Sequence, residues 1–260
     1  MILHYVNGEF VQARSGKTEP LINPATEEML TEISWGDDED CRLAIDAAQQ
    51  AFKTWSKTNC WQRASILKKA ADIIRLKIDD YAHDTVMESG KPIAEAKGEW
   101  GVAANLLEWF AEECKRSYGR TIPSARNDKR MMTIWQPMGV VGVITAWNFP
   151  AYNPARAWAA ALAAGCTLVT KGSEFTALST HHLAEALIEA GLPAGVLNNI
   201  NGDAAKIGDE MLQNDTVKKI SFTGSTRVGK ILMDGASQTN TKLALELGGN
   251  APVIIDADVD

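Results

Sequence analysis

The chain is poor in cysteine, and what little it has is scattered. Four cysteines, at 41, 60, 114 and 166 of 260 residues, never approach the C-x-x-C spacing of a redox motif or a zinc site. That pattern argues against a disulfide framework or a bound metal and suits reduced thiols in a cytoplasmic protein. Long hydrophobic runs are missing too. The most apolar stretch, residues 157–169, is 13 residues long and follows Arg156, too short to span a bilayer. Met1-Ile2-Leu3-His4-Tyr5 has neither a basic n-region nor a cleavable apolar core, so no secretory signal is expected and no membrane partner. Nor is there a basic cluster. A net charge of −7 and a pI near 5.2 repel phosphate backbones, which argues against nucleic acid as a partner. The G-x-G-x-x-G dinucleotide fingerprint is also lacking.

What is present is ordinary globular material, 45% hydrophobic and 23% charged, enough for one large domain or two small ones. Tyr5-Val6 and Phe10-Val11 flank Asn7-Gly8, a type I′ hairpin signal. Acidic residues lead an alanine-rich helix over 40–55, as the helix dipole prefers. Asn59 is placed to cap a second helix, in which Leu67, Ala70, Ala71, Ile74 and Ile78 recur at helical spacing. A third helical pattern covers 93–118, and 119–137 reads as a protruding hairpin. From Gly139 the texture changes to alternation of short β-branched runs with helices. Strands are expected at 140–144, 166–170, 196–200, 219–222, 243–246 and 253–255, and helices at 154–164 and 177–190. Buried strands alternating with helices imply an α/β fold with a doubly wound parallel sheet.

Ligands of such sheets bind at the carboxyl ends of strands. Three segments fall there: Ala146-Trp147-Asn148, Lys171-Gly172-Ser173-Glu174, and Gly224-Ser225-Thr226. Gly224 and Ser225 open a helix whose N–H groups suit pyrophosphate, although a glycine-serine turn also caps a helix with no ligand at all. Lys171 and Glu174 suit ribose hydroxyls, or form a solvated charge pair. Asn148, between two aromatic residues, suits an oxyanion donor or a turn partner before Pro150. Glu246 ends an apolar strand, where partial desolvation would raise its pKa and fit it for general-base work; otherwise it points into water.

Leu245-Glu246-Leu247-Gly248-Gly249-Asn250, Trp147-Asn148-Phe149-Pro150 and Phe222-Thr223-Gly224-Ser225 together resemble the NAD(P)-dependent aldehyde dehydrogenase superfamily. The likeness runs from Asn23-Pro24-Ala25-Thr26 through Gly90-Lys91-Pro92 to Gly248-Gly249-Asn250-Ala251-Pro252. It implies a Rossmann-like cofactor domain over 1–118 and 138–245, an oligomerisation hairpin over 119–137, and the start of a catalytic domain over 246–260. Trp147, Lys171, Ser173, Glu174, Gly224, Ser225 and Leu247 match cofactor-contacting positions. Asn148 matches the oxyanion-hole amide, and Glu246 the base that activates the deacylating water. The blocks Glu88-Ser89-Gly90-Lys91-Pro92 and Trp109-Phe110-Ala111-Glu112-Glu113 look like succinate-semialdehyde dehydrogenases, in which Arg156 matches the arginine for the substrate's distal carboxylate. A guanidinium fork suits a carboxylate. The resemblance also implies a homo-oligomer.

Two departures bear on the site. Gly172 replaces the family's usual proline, which is expected to loosen the loop, and Asn153-Pro154 replaces apolar residues before Arg156. Glu174 favours an unphosphorylated ribose, so NAD is expected, with NADP the alternative. The family's nucleophilic cysteine lies beyond the position of Glu246, and none of the four cysteines here suits the role. The expectation is therefore an N-terminal portion that binds cofactor without turning over aldehyde alone. The alternative is a non-catalytic dinucleotide-binding or assembly module working with a separate chain.

Overall fold

The computed structural model describes residues 1–257. Strands β1 (His4–Val6) and β2 (Glu9–Val11) form the expected hairpin, with Asn7 and Gly8 at φ 53° and 90° as a type I′ turn requires. Strands β3 (Thr18–Ile22) and β4 (Met29–Ser34) pair antiparallel beside it. Their pattern escapes a sequence reading because Pro20 interrupts the first of them, which an unpaired edge tolerates. Helix α1 (Asp38–Trp55) starts two residues before the expected point, behind a capping box of Asp37 and Asp40. Helix α2 (Cys60–Leu76) is capped by Asn59, whose side-chain oxygen accepts from the Gln62 N–H. Ile78 belongs to a separate helix, α3 (Ile78–Ser89), because the chain turns at Lys77 with φ −102° and ψ 14°. No glycine or proline marks that break, so periodicity ran through it. Helix α4 (Ile93–Glu113) ends before the expected 118, giving way to a single 3₁₀ turn, Cys114–Arg116. Strands β5 (Arg120–Ile122) and β6 (Met131–Thr133) form an exposed antiparallel ribbon within the expected hairpin.

The second half alternates as expected: β7 (Val140–Ile144), α5 (Tyr152–Ala164), β8 (Thr167–Lys171), α6 (Ala177–Glu189), β9 (Leu197–Ile200), α7 (Ala204–Gln213), β10 (Val217–Thr223), α8 (Thr226–Thr239) and β11 (Lys242–Glu246). Helix α7 is not among the elements expected from the sequence. The sheet order is β11-β10-β7-β8-β9-β1-β2, with β7 to β11 parallel and the N-terminal hairpin added antiparallel at one edge. Side-chain alternation explains why its central strands read as unbroken apolar runs. Val141, Val143, Leu168 and Leu197 face one core with Trp100, Leu107, Trp158 and Leu183. Val140, Val169, Ile200 and Ile220 face the other with Ile45, Met211 and Leu232. Each such side chain contributes about 1.5–3 kcal/mol of burial, so the sheet is held from both sides.

One expected strand is not formed. Val253, Ile254 and Ile255 belong to no strand and are exposed. A strand exists through its ladder, and no neighbour offers one there among the described residues. Among those residues, no helix is long and apolar enough to cross a membrane.

The topology fixes where a ligand can sit. The chain builds β7, β8 and β9 outward in one direction, then returns to the other side of β7 for β10 and β11. The loops leaving β7 and β10 therefore diverge to opposite faces, opening a crevice at their carboxyl ends.

Candidate functional site

A cleft of about 480 Å³ occupies that crevice, within the size range of small-molecule sites. Trp147 and Asn148 reach it from the loop after β7, Gly224 and Ser225 from the turn after β10, and Glu246, Leu247 and Gly248 from the end of β11. Arg156 enters from the first half of α5, alongside Tyr152 and Asn153. Seven residues singled out from sequence thus converge. Lys171, Ser173 and Glu174 do not line this cleft; they leave the adjoining strand β8, joined to it where the Thr145 N–H donates to the Lys171 carbonyl at 3.2 Å.

The turn into α8 is built to approach an anion. Ser225 is its N-cap, its Oγ accepting from the Val228 N–H at 3.3 Å while its own O–H remains free to donate. The first-turn N–H groups of Thr226 and Arg227 have no intrahelical acceptor. The Gly224 N–H donates to the Glu246 carbonyl at 3.0 Å, locking the ends of β10 and β11 together. A Cβ on Gly224 would stand 2.4 Å from the Phe222 ring, so this turn takes only glycine without displacement. Leu247 packs over α8, where a Cβ on Gly229 would meet it at 2.7 Å. The concave turn and its free donors fit a pyrophosphate.

Around β8 the structure corrects two expectations. Lys171 and Glu174 form an ion pair, but not a solvated one: the lysine side chain is 5% exposed and the glutamate 35%. Burial opposes the Glu174 charge, yet the Lys171 ammonium outweighs it and holds the carboxyl below its usual range. Gly172 does not loosen the loop. It is buried, and a Cβ there would lie 2.9 Å from Thr180 Oγ1, so its place is set by close approach of α6. Ser173 Oγ accepts from the Phe175 N–H and starts the short 3₁₀ turn leading to α6.

Glu246 differs from expectation as well. Its side chain is 61% exposed, so the desolvation anticipated for it is not there. Instead it faces Arg156, with Nη1 to Oε1 at 3.3 Å, while Arg156 Nη2 donates to Thr223 Oγ1 at 3.3 Å. The guanidinium expected to hold a distal carboxylate here holds the carboxylate at the end of β11. Asn148 is also exposed; its Oδ1 accepts from Asn153 Nδ2 at 3.2 Å, which leaves its Nδ2 as an unused donor lining the cleft.

Three supporting residues escaped the sequence reading. Asn153 stands out in the sequence only as a departure from the apolar residues usual before Arg156. Lys91 donates to the Asn148 carbonyl, and Glu99 accepts from the N–H groups of Ala151 and Tyr152. The signal for Glu99 is a charge within the buried stripe Ala96, Trp100, Ala103, Ala104 of α4. None of the four cysteines lines the cleft. Cys41, Cys114 and Cys166 are buried, and burial pushes the thiols of Cys41 and Cys114 upward in pKa.

Fold and site together define an open, doubly wound α/β protein with its cleft at the strand-order reversal. Residues 10–260 match the profile of the aldehyde dehydrogenase family. The chain belongs to that family. It is 46% identical over 257 residues to the NADP(+) succinate-semialdehyde dehydrogenase of Escherichia coli, covering 98% of this chain and 53% of that protein. It is 45% identical to a glutarate-semialdehyde dehydrogenase of Pseudomonas putida, covering 98% of this chain and 54% of that one. The crystal structure of succinate-semialdehyde dehydrogenase from Burkholderia pseudomallei superposes with a TM-score of 0.95 at 43% identity, over 100% of this chain and 54% of that one. The chain thus spans about half the length of these relatives.

Proposed function

We propose that this chain forms the cofactor-holding side of a site that oxidises an aldehyde with a distal anionic group to the carboxylate. The observation that carries the reading is the convergence of Trp147, Asn148, Arg156, Gly224, Ser225, Glu246 and Leu247 on one cleft at the sheet's switch point. In this assignment the α8 N-terminus takes the pyrophosphate, and Lys171, Ser173 and Glu174 take the adenosine ribose. Trp147 and Leu247 flank the nicotinamide end, which accepts the hydride when the cofactor is bound. Asn148 Nδ2 donates to the oxyanion, and Glu246 takes the proton of the deacylating water. Arg156 takes the substrate's distal carboxylate, releasing Glu246 as it turns. The named activities of the E. coli and P. putida relatives, on semialdehydes with a far carboxylate, support the substrate class.

We assign NAD as the preferred cofactor. A 2′-phosphate placed on Glu174 would meet a carboxylate that Lys171 keeps ionised. The E. coli relative named for NADP(+) makes this a discriminating assignment. The hairpin at 119–137 is assigned to homo-oligomer assembly, since Met132, Ile134 and Trp135 are exposed apolar side chains on or beside it.

The reacting thiol is not among the four cysteines of this chain. The 260-residue chain is therefore expected to bind NAD⁺ saturably in calorimetry and to make no NADH from succinate semialdehyde. Saturable turnover by the purified chain would overturn this division of labour. A second reading is a dinucleotide-binding or assembly module that acts with a separate chain, to which the exposed apolar side chains Val253, Ile254 and Ile255 would offer a surface. A purified chain that stays monomeric and binds no added remainder of a relative's catalytic half would count against it.

A further inference from the structure

The loop that carries Asn148 is gripped from behind by a buried ion pair. Glu99 lies inside the α4–α5 interface with its side chain 1% exposed. Its Oε1 accepts from the N–H groups of Ala151 and Tyr152, at 2.8 and 3.0 Å, capping α5, which has no side-chain cap of its own. Its Oε2 accepts from Lys91 Nζ, in an ammonium that is itself largely buried. Lys91 Nζ also donates to the Asn148 carbonyl at 2.9 Å and lies 4.1 Å from the centre of the Phe149 ring. Residues 148, 149, 151 and 152 are thus held by two side chains from outside the loop. From the first turn of α5, Asn153 adds two more bonds, its N–H donating to the Phe149 carbonyl and its Nδ2 to Asn148 Oδ1.

This arrangement is more than a helix cap. A cap needs only the Glu99 oxygen on Ala151 and Tyr152. The lysine adds nothing to α5, yet it places a largely buried charge on the backbone of Asn148, whose side-chain amide lines the cleft. A buried ion pair with all its partners in place is rigid, and a donor held in advance loses no reorganisation free energy when charge develops beside it. The geometry points to Lys91 and Glu99 as positioning residues that keep the Asn148 amide aimed into the cleft. The inference rests on the reading of Asn148 as the oxyanion donor, and it concerns how that donor is held rather than what it touches.

The test uses the full 260-residue chain labelled with ¹⁵N. In the wild type, the Lys91 ammonium is expected as a protected NMR signal near neutral pH, and the Asn148 side-chain NH₂ as one sharp pair. Lys91→Met is expected to lose that sharp pair to broadening or doubling, and Lys91→Arg to restore it. Glu99→Gln keeps an amide oxygen for Ala151 and Tyr152 but breaks the ion pair, so it should lose the sharp Asn148 pair while α5 amides stay protected. Three outcomes would overturn the proposal: a wild-type Lys91 ammonium lost to solvent exchange, an Asn148 pair unchanged in both variants, or loss of protection along all of α5 in Glu99→Gln. The wild-type measurement needs no substitution, so it decides even where a variant fails to fold. Titrating NAD⁺ into the same samples separates the two readings. Variants that bind NAD⁺ and keep the wild-type Asn148 pair sink the positioning role alone, and variants with an altered pair in a chain that binds no NAD⁺ sink the cofactor reading alone.

Discussion

Replacing Glu88 with glutamine should flatten the pH dependence of stability across the weakly acidic range. Glu88 lies at the end of α3 with 2% of its surface exposed. Its carboxyl accepts from the N–H groups of Leu178 and Ser179, at 2.8 and 2.9 Å, and from the Ser179 hydroxyl, thereby capping α6. The network continues through Ser179 Oγ and Thr85 Oγ1, 2.8 Å apart, to the Trp100 indole N–H. Burial pushes the carboxyl up from the ordinary 4.5 to about 7, against the Ser179 and Leu178 hydrogen bonds and the His182 charge, which pull it down. A pKa raised on folding means that the folded state holds the proton more tightly. The stability linked to Glu88 is therefore complete below about pH 4.5 and lost as pH rises through about 7. At about 1.4 kcal/mol per pH unit, that gap is worth about 3 kcal/mol. Urea unfolding of the wild type and Glu88→Gln, taken at intervals from about pH 4.5 to about pH 8, reads the difference directly. The wild type should lose about 3 kcal/mol more than the variant over that interval, with the two curves running parallel above it. Curves parallel throughout would refute the reasoning, because burial would then not be governing this carboxyl. Glu88 holds the first turn of the helix that follows Lys171 and Glu174, so the same titration reports on the support of the proposed ribose site.

Other substitutions address the cleft and the hairpin. Gly224→Ala forces a Cβ against the buried Phe222 ring and should lower stability in urea unfolding by about 1–3 kcal/mol, the usual penalty of overpacking, while weakening NAD⁺ binding in calorimetry. Glu174→Gln should raise the affinity for NADP⁺ relative to NAD⁺, and an unchanged ratio would remove Glu174 from cofactor choice. Ser225→Ala should lower stability by about 1 kcal/mol through the lost cap and weaken dinucleotide binding as well. Replacing Met132 and Trp135 together with aspartate should reduce self-association in sedimentation and leave NAD⁺ affinity unchanged.

The sheet was legible because its chemistry is local. Val140-Val141-Gly142-Val143-Ile144 is buried on both faces and reads as one apolar run, and Asn7-Gly8 declares a hairpin by backbone preference alone. The strand-end placement of Asn148, Ser225 and Glu246 followed from the same alternation. The side chains' partners did not. Arg156 is a neighbour of Glu246 only because β11 lies two strands from β7 in the sheet, a fact of strand order rather than of spacing. Glu99 stands 52 residues from the N–H of Ala151, and nothing at either position announces the other. The break at Lys77 was hidden because both flanking helices keep the apolar period without a glycine or proline between them. Val253-Ile254-Ile255 misled for the opposite reason: strand composition without a ladder to join.

The strand ends around β7, β8 and β10 are proposed to cradle a dinucleotide. The most direct test is a map of NMR shift changes as NAD⁺ is added to the ¹⁵N-labelled chain. Saturable changes are expected, centred on Gly224, Ser225 and Thr226 and extending to Lys171, Glu174, Trp147 and Leu247. Changes confined to another face, or none at saturating NAD⁺, would contradict that role.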